Sequence, residues 1–109
     1  MQRYGTMVRL KPEKYAAYKE AHQIENVWPE ILELGTKCNI RNQTIFYRGG
    51  WLFRYFEYTG DDYEVDMRLF AEHPQSRAWS DLMTAMMEPV PDAAAGEWWV
   101  EMEELIHTD

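Results

Sequence analysis

With 109 residues the chain has the length of one domain, and a chain of this size buries roughly 60–70% of the surface its unfolded form exposes. Its 19 acidic against 11 basic side chains leave a net charge of −8, which disfavours nucleic acid and anionic membrane surfaces as partners. One cysteine, Cys38, rules out an intrachain disulfide, and neither a signal-peptide apolar run nor a membrane-length stretch is present, so a soluble cytoplasmic protein is expected.

Arg3 to Leu10 alternates as a strand, and Lys11-Pro12 ends it. Pro12 opens a helix over Glu13 to Glu25. Pro29 lacks the amide that would bond to Glu25, which predicts a break near Glu25–Trp28. A second helical piece, with Asn26 as its cap, runs to Leu34 and stops at Gly35. Ile40 to Tyr47 is the second strand, with Ile40, Asn42, Thr44 and Phe46 on one face and Arg41, Gln43, Ile45 and Tyr47 on the other. Gly49-Gly50 signals a hairpin into a third strand, Trp51 to Tyr58. Thr59-Gly60-Asp61-Asp62 breaks it and caps a helix over Tyr63 to Ala71. After the break at His73-Pro74 comes a helix over Ser76 to Met87, then a surface loop from Glu88 to Gly96. The tail, Glu97 to Ile106, fits either periodicity. A strand is expected, because it would add a fourth member to the sheet.

The order is β-α-β-β-α-β, the split arrangement of an α+β, ferredoxin-like fold with an antiparallel sheet. Two helices cover one face of such a sheet. The other face carries many aromatics and has no helix left to cover it, so a homodimer packed sheet to sheet is expected.

Tyr15, Tyr18 and His22 fall within roughly 60° of one another on a helix. Such a face either packs into the core, with His22 bonded to a carbonyl, or lines a pocket with two phenols and an imidazole. Trp28, Trp79, Trp98 and Trp99 offer ring faces, and rings with polar tips suit a sugar, which presents C–H patches beside hydroxyls. The three histidines lack metal-site spacing, no phosphate-binding glycine loop occurs, and the acidic tail Glu101 to Glu104 reads as a solvated strand face.

The stretches RLKPEKYAAYKEAH (9–22), VWPE (27–30), CNIRN with IF (38–46), LFRYFEYTGDD (52–62), Trp79, EPVP (88–91) and GEWWVEMEELIH (96–107) stand in an order that resembles the L-rhamnose/L-fucose mutarotase family from end to end. The resemblance implies a ferredoxin-like dimeric α/β barrel that interconverts the α and β anomers of a 6-deoxy monosaccharide without a cofactor. It also implies that His22 is the proton donor; since opening a hemiacetal needs a proton on the ring oxygen and one removed from the anomeric hydroxyl, His22 is expected to deliver the first while water or Tyr18 relays the other. Tyr18 and Trp79 would contact the sugar. Three departures accompany it. Gln43 stands where the family carries a tyrosine, Ser80 stands where it carries a second tryptophan, and two additional residues lie between His22 and Trp28, where they are expected to lengthen or bulge the helix. Gln43 and Ser80 can bond a hydroxyl but cannot stack, so the sugar stays open. A non-catalytic sugar-binding barrel, or a cofactor-free monooxygenase or isomerase on the same frame, are the alternatives.

Overall fold

The computed structural model describes residues 1–109. Strand β1 (Gln2–Leu10) leads through a 3₁₀ turn at Pro12–Lys14 into α1 (Tyr15–Ala21), followed by α2 (Pro29–Lys37), β2 (Ile40–Arg48), β3 (Trp51–Tyr58), α3 (Tyr63–Glu72), α4 (Pro74–Thr84), β4 (Met87–Glu88) and β5 (Val100–Met102). The sheet is antiparallel, in the order β2-β3-β1-β4, and β5 also pairs with β1. Gly49 and Gly50 carry the β2–β3 turn at φ 56° and 87°, a left-handed pair that twists with the strands and that side chains rarely tolerate.

Strand alternation sorts the residues. Thr6, Val8 and Leu10 of β1 and Leu52, Arg54, Phe56 and Tyr58 of β3 face the helices; Val8 pairs with Leu52 and Thr6 with Arg54. The apolar core is built there, from Val8, Leu10, Leu52, Tyr18 of α1, Met83 of α4 and Met87 of β4. Only 13 of the 109 residues are buried, because the helices stand off the sheet: α1 buries Tyr18 alone, α2 buries Ile31, and α3 buries none.

Several boundaries differ from those expected. The first helix ends at Ala21, not Glu25, and His22 is its C-cap residue. The polar segment after it folds back: the Asn26 amide donates to the Glu20 carbonyl at 2.8 Å and to the Glu20 carboxylate at 3.3 Å. Asn26 therefore closes α1 rather than capping α2, whose cap is Trp28. The residues between His22 and Trp28 form turns and neither lengthen nor bulge the helix. Helix α2 runs through Gly35 to Lys37, since glycine in a helix interior costs only about 1 kcal/mol relative to alanine. Helix α4 starts at Pro74, which fits a first helical position, and its N-cap His73 accepts the Gln75 amide through Nδ1 at 3.1 Å. It stops at Thr84, and Met87 and Glu88 pair instead with Leu10 and Arg9. The tail strand is limited to Val100–Met102 opposite Gly5–Met7; Trp98 and Trp99 before it are half-buried, and the residues after it are irregular and exposed.

The most consequential difference lies in β2. Arg41 pairs with Glu57 and Thr44 with Tyr55, so Asn42 and Gln43 together oppose Phe56. Asn42 sits at φ 53°, a conformation asparagine adopts more readily than most residues. This bulge resets the alternation. Ile40 shares the helix side with Ile45 and Tyr47, while Phe46 and Thr44 face the other way.

At the far end of β3, the Tyr58 hydroxyl donates to Asp66 of α3 at 2.5 Å, and the Asn39 amide donates to the same oxygen at 3.0 Å. Asp62 caps α3 by accepting the Val65 amide at 3.2 Å. Gly60 passes so close that a Cβ there would lie 2.7 Å from Asn39 Nδ2 and 2.7 Å from Asp66 Oδ2.

Candidate active site

Between the helix side of the sheet and the helices lies an open cavity of about 970 Å³. That is the upper end of the size range of small-molecule sites, roughly 300–1,000 Å³. It holds all five residues singled out from the sequence: Tyr18 and His22 at the end of α1, Gln43 on the β2 bulge, and Trp79 and Ser80 on α4. The fold thus brings together residues up to 62 positions apart, from Tyr18 to Ser80. No group of three or more His, Cys, Asp and Glu side chains comes close enough to hold one metal ion.

His22 is half-buried and fixed on three sides. Its Nδ1 lies 2.8 Å from the Tyr18 carbonyl. A carbonyl only accepts, so Nδ1 carries a hydrogen and donates it, and in the neutral ring Nε2 holds the lone pair. The ring stacks on Tyr18 at 4.0 Å and meets Trp79 edge-on at 5.6 Å. Trp79 in turn is braced by Trp28 at 5.2 Å. Burial lowers the His22 pKa, and the bond to the Tyr18 carbonyl only partly opposes this. His22 is therefore neutral at pH 7. Early termination of α1 creates this geometry: at the C-cap, the His22 side chain reaches the Tyr18 carbonyl that its own amide also approaches, at 3.2 Å.

Tyr18 is 5% exposed, and burial raises its phenol well above the usual range, with a smaller opposing effect from Arg54. It stays protonated and is a hydrogen-bond donor at any physiological pH. Gln43 and Ser80 are exposed on the cavity rim, where their polar tips reach solvent and cavity alike. Tyr15 lines a smaller hollow of about 220 Å³, its ring tilted against that of Tyr47 at 4.5 Å, while Tyr18 and His22 line both spaces. Trp98 and Trp99 line the large cavity, and Trp28 supports it from behind Trp79.

Arg54 and Tyr63 also line the cavity and were not singled out from the sequence. The Arg54 Nε donates to Thr6 Oγ1 at 3.1 Å, and its guanidinium lies 4.5 Å over Trp99 and 5.1 Å over Phe56. Burial lowers its pKa to about 10, so it remains a cation. The signal was available: Arg54 alternates with Leu52, Phe56 and Tyr58, which are 1%, 3% and 2% exposed, on one face of β3.

A family model described as L-rhamnose mutarotase matches residues 3–108. A UPF0734 protein of Dictyostelium discoideum is 33% identical over 91 residues, covering 79% of this chain and 71% of its own length. An L-fucose mutarotase of Xanthomonas campestris is 31% identical over 88 residues, covering 79% of this chain and 70% of its own length. Among solved structures, an L-rhamnose mutarotase from Formosa agariphila superposes with a TM-score of 0.78 at 23% identity over the full length of both chains. The tetracenomycin F2 cyclase of Streptomyces glaucescens, a polyketide cyclase, does so with 0.69 at 15% over the full length of both, a likeness of fold alone. With 106 consecutive residues, 3 to 108, accounted for by one family model, and with the ferredoxin-like frame shared, the chain belongs to the L-rhamnose mutarotase family.

Proposed function

We propose that this protein is a cofactor-independent aldose mutarotase that interconverts the α and β anomers of a 6-deoxy hexose of the L-rhamnose or L-fucose type. The observation that carries the reading is His22: Nδ1 is committed to the Tyr18 carbonyl at 2.8 Å, which leaves Nε2 to exchange a proton at the wall of an aromatic cavity. Ring opening removes a proton from the anomeric hydroxyl O1, breaks the C1–O5 bond, and places a proton on O5. Because His22 starts neutral, it first accepts the O1 proton at Nε2 and then, as imidazolium, donates to the ring oxygen. Tyr18 or a water steadies the other oxygen by hydrogen bonding. Rotation of the aldehyde and the reverse sequence close the ring on the opposite face. A positioned acid–base group contributes about 10²–10⁴-fold to such a step. Trp79 offers the sugar an apolar ring edge, and Gln43 and Ser80 bond its hydroxyls from the rim.

The same reading places the protein in a reducing cytoplasm, consistent with the single buried thiol of Cys38, and makes it a homodimer. The helix-free face of the sheet presents Met7, Phe46, Trp51, Phe53 and Tyr55, with Phe46 63% exposed, and a second copy would cover them. Sedimentation velocity at micromolar protein tests this; a monomer at all concentrations rejects it.

Saturation-transfer NMR of L-rhamnose and L-fucose anomers tests the activity. Exchange well above the buffer rate, lost in His22→Ala, is the expected result. Binding of the sugar with no acceleration would favour a binding protein, the second reading, which rests on Gln43 and Ser80 offering hydrogen bonds but no ring to stack on.

A further inference from the structure

Arg54 has no acid within reach. The only charged contact under 4.0 Å in the chain is His107 with Asp109, on the tail. Glu101 lies opposite Thr6 in the sheet register, on the same side as Arg54, but it is solvent-exposed and forms no ion pair. A guanidinium has five N–H donors. One, on Nε, is spent on Thr6 at 3.1 Å. The four on the Nη atoms meet no protein acceptor, and the residue lines the cavity. Trp99 and Phe56 steady the cation through their ring faces, but a ring face does not satisfy an N–H fork. Buried charges are ordinarily paired, and the planar fork is matched by a carboxylate held through two parallel hydrogen bonds. Here the partner's place is open to the cavity.

A 6-deoxy hexose offers this fork only a methyl group at C6. A hexuronate carries a carboxylate there. We propose that Arg54 is a specificity-determining residue that binds a sugar carboxylate, and that the substrates of this site extend to hexuronates, which it prefers over 6-deoxy hexoses of the same ring configuration. The inference rests on the anomer interconversion proposed above. The chemistry at C1 is unchanged, since the proton still passes from O1 through His22 to O5 while the carboxylate takes no part in bond making. The net charge of −8 opposes an anionic ligand, but that charge is spread over the surface and screened over about 8 Å at physiological ionic strength. A guanidinium in contact with a carboxylate inside the cavity outweighs it.

The experiment compares anomeric exchange by saturation-transfer NMR for matched pairs: L-fucose with L-galacturonate, L-rhamnose with L-mannuronate, D-fucose with D-galacturonate, and D-quinovose with D-glucuronate. The readout is the ratio of kcat/KM, uronate over 6-deoxy sugar, in the parent, Arg54→Lys and Arg54→Met, with circular dichroism confirming the fold. For at least one pair the parent ratio is expected to exceed about 10, the effect of a charge-assisted hydrogen bond. It falls about tenfold or more in Arg54→Met and less in Arg54→Lys, which keeps the charge without the fork. A parent ratio at or below one in every pair overturns the inference, as does a ratio that Arg54→Met leaves unchanged. If neither sugar class exchanges above the buffer rate, the mutarotase reading fails, and uronate binding by calorimetry decides this inference separately. Binding weakened about tenfold in Arg54→Met upholds the carboxylate contact, and no uronate binding by the parent rejects it.

Discussion

Replacing Arg54 by methionine keeps most of the side-chain volume while removing the cation from the helix side of the sheet. Burial lowers the Arg54 pKa from the ordinary guanidinium range to about 10. At ~1.4 kcal/mol for each tenfold change in proton affinity, holding this group charged costs the fold about 3 kcal/mol. Against that stand the lost hydrogen bond to Thr6, about 1 kcal/mol, and the lost stacking on Trp99, about 0.5–1 kcal/mol. The balance favours Arg54→Met by about 1–1.5 kcal/mol. For a chain of 109 residues this raises the unfolding midpoint by roughly 4–8 °C. Thr6→Val in the same background removes the orphaned hydroxyl and should add to the gain. The sign with pH is fixed by the direction of the shift. The unfolded chain binds the proton more tightly, so the cost of the cation is fully present below about pH 10 and is lost as pH rises from there toward the ordinary guanidinium range. The stability difference between variant and parent should therefore be flat from pH 6 to 9 and shrink above pH 10. Urea denaturation followed by tryptophan fluorescence measures it. A variant less stable than the parent by more than about 1 kcal/mol would show that Thr6, Phe56 and Trp99 already satisfy the guanidinium, and the case for an absent ligand carboxylate would fall with it.

His22→Asn should reduce anomeric exchange by about 10²-fold or more while leaving the far-ultraviolet spectrum unchanged, measured by exchange NMR at saturating sugar. Because burial lowers the His22 pKa, the parent rate should be level at neutral pH and decline only as the solution falls through a midpoint below 6.5; a midpoint above 6.5 would contradict the burial assigned to the ring. By the same sign, folding disfavours the protonated ring, so this residue withdraws stability only in acid, below pH 6.5. Gly60→Ala should destabilise by about 1–3 kcal/mol, since its Cβ would press on Asn39 and Asp66 at 2.7 Å and the Tyr58–Asp66–Asn39 bonds that anchor α3 would have to yield. A neutral result in thermal melts would mean that loop relaxes freely.

The parts of the fold that were legible in the sequence are those whose signals are local and redundant. Strands β1 and β3 alternate cleanly, Gly49-Gly50 announces the turn, and Asp62 caps the helix it precedes. The boundaries that moved depend on contacts the local pattern does not carry. The end of α1 is set by Asn26 reaching back to Glu20, and nothing in the periodicity of Tyr15 to Glu25 marks it. The end of α4 is set by β1, whose Arg9 and Leu10 recruit Glu88 and Met87 as partners. Strand β5 shares one edge of β1 with β4 and pairs only with Gly5–Met7, a long-range partner that the ambiguous periodicity of the tail does not mark.

The bulge and Arg54 show why the cavity was harder to read than the frame. Strict alternation in β2 assigns Ile40 and Phe46 to one face, yet one inserted residue separates them, and the only local hint is that Asn42 tolerates φ 53°. That single residue brings both Asn42 and Gln43 to the cavity and keeps Ile45 beside them. Arg54 was visible in principle, because strict alternation holds in β3 and places a guanidinium between Leu52 and Phe56 on the inner face. A resemblance to a family draws attention to the positions where the family's residues recur. It is silent about a charge to which no role in the family was attached. A half-buried cation facing a cavity is read instead by asking where its partner is, and in this chain neither Thr6 nor the rings of Phe56 and Trp99 can be that partner. The stability it forfeits and the carboxylate it can hold are two consequences of one unmade ion pair, so thermal melts and sugar exchange must move together when Arg54 is changed.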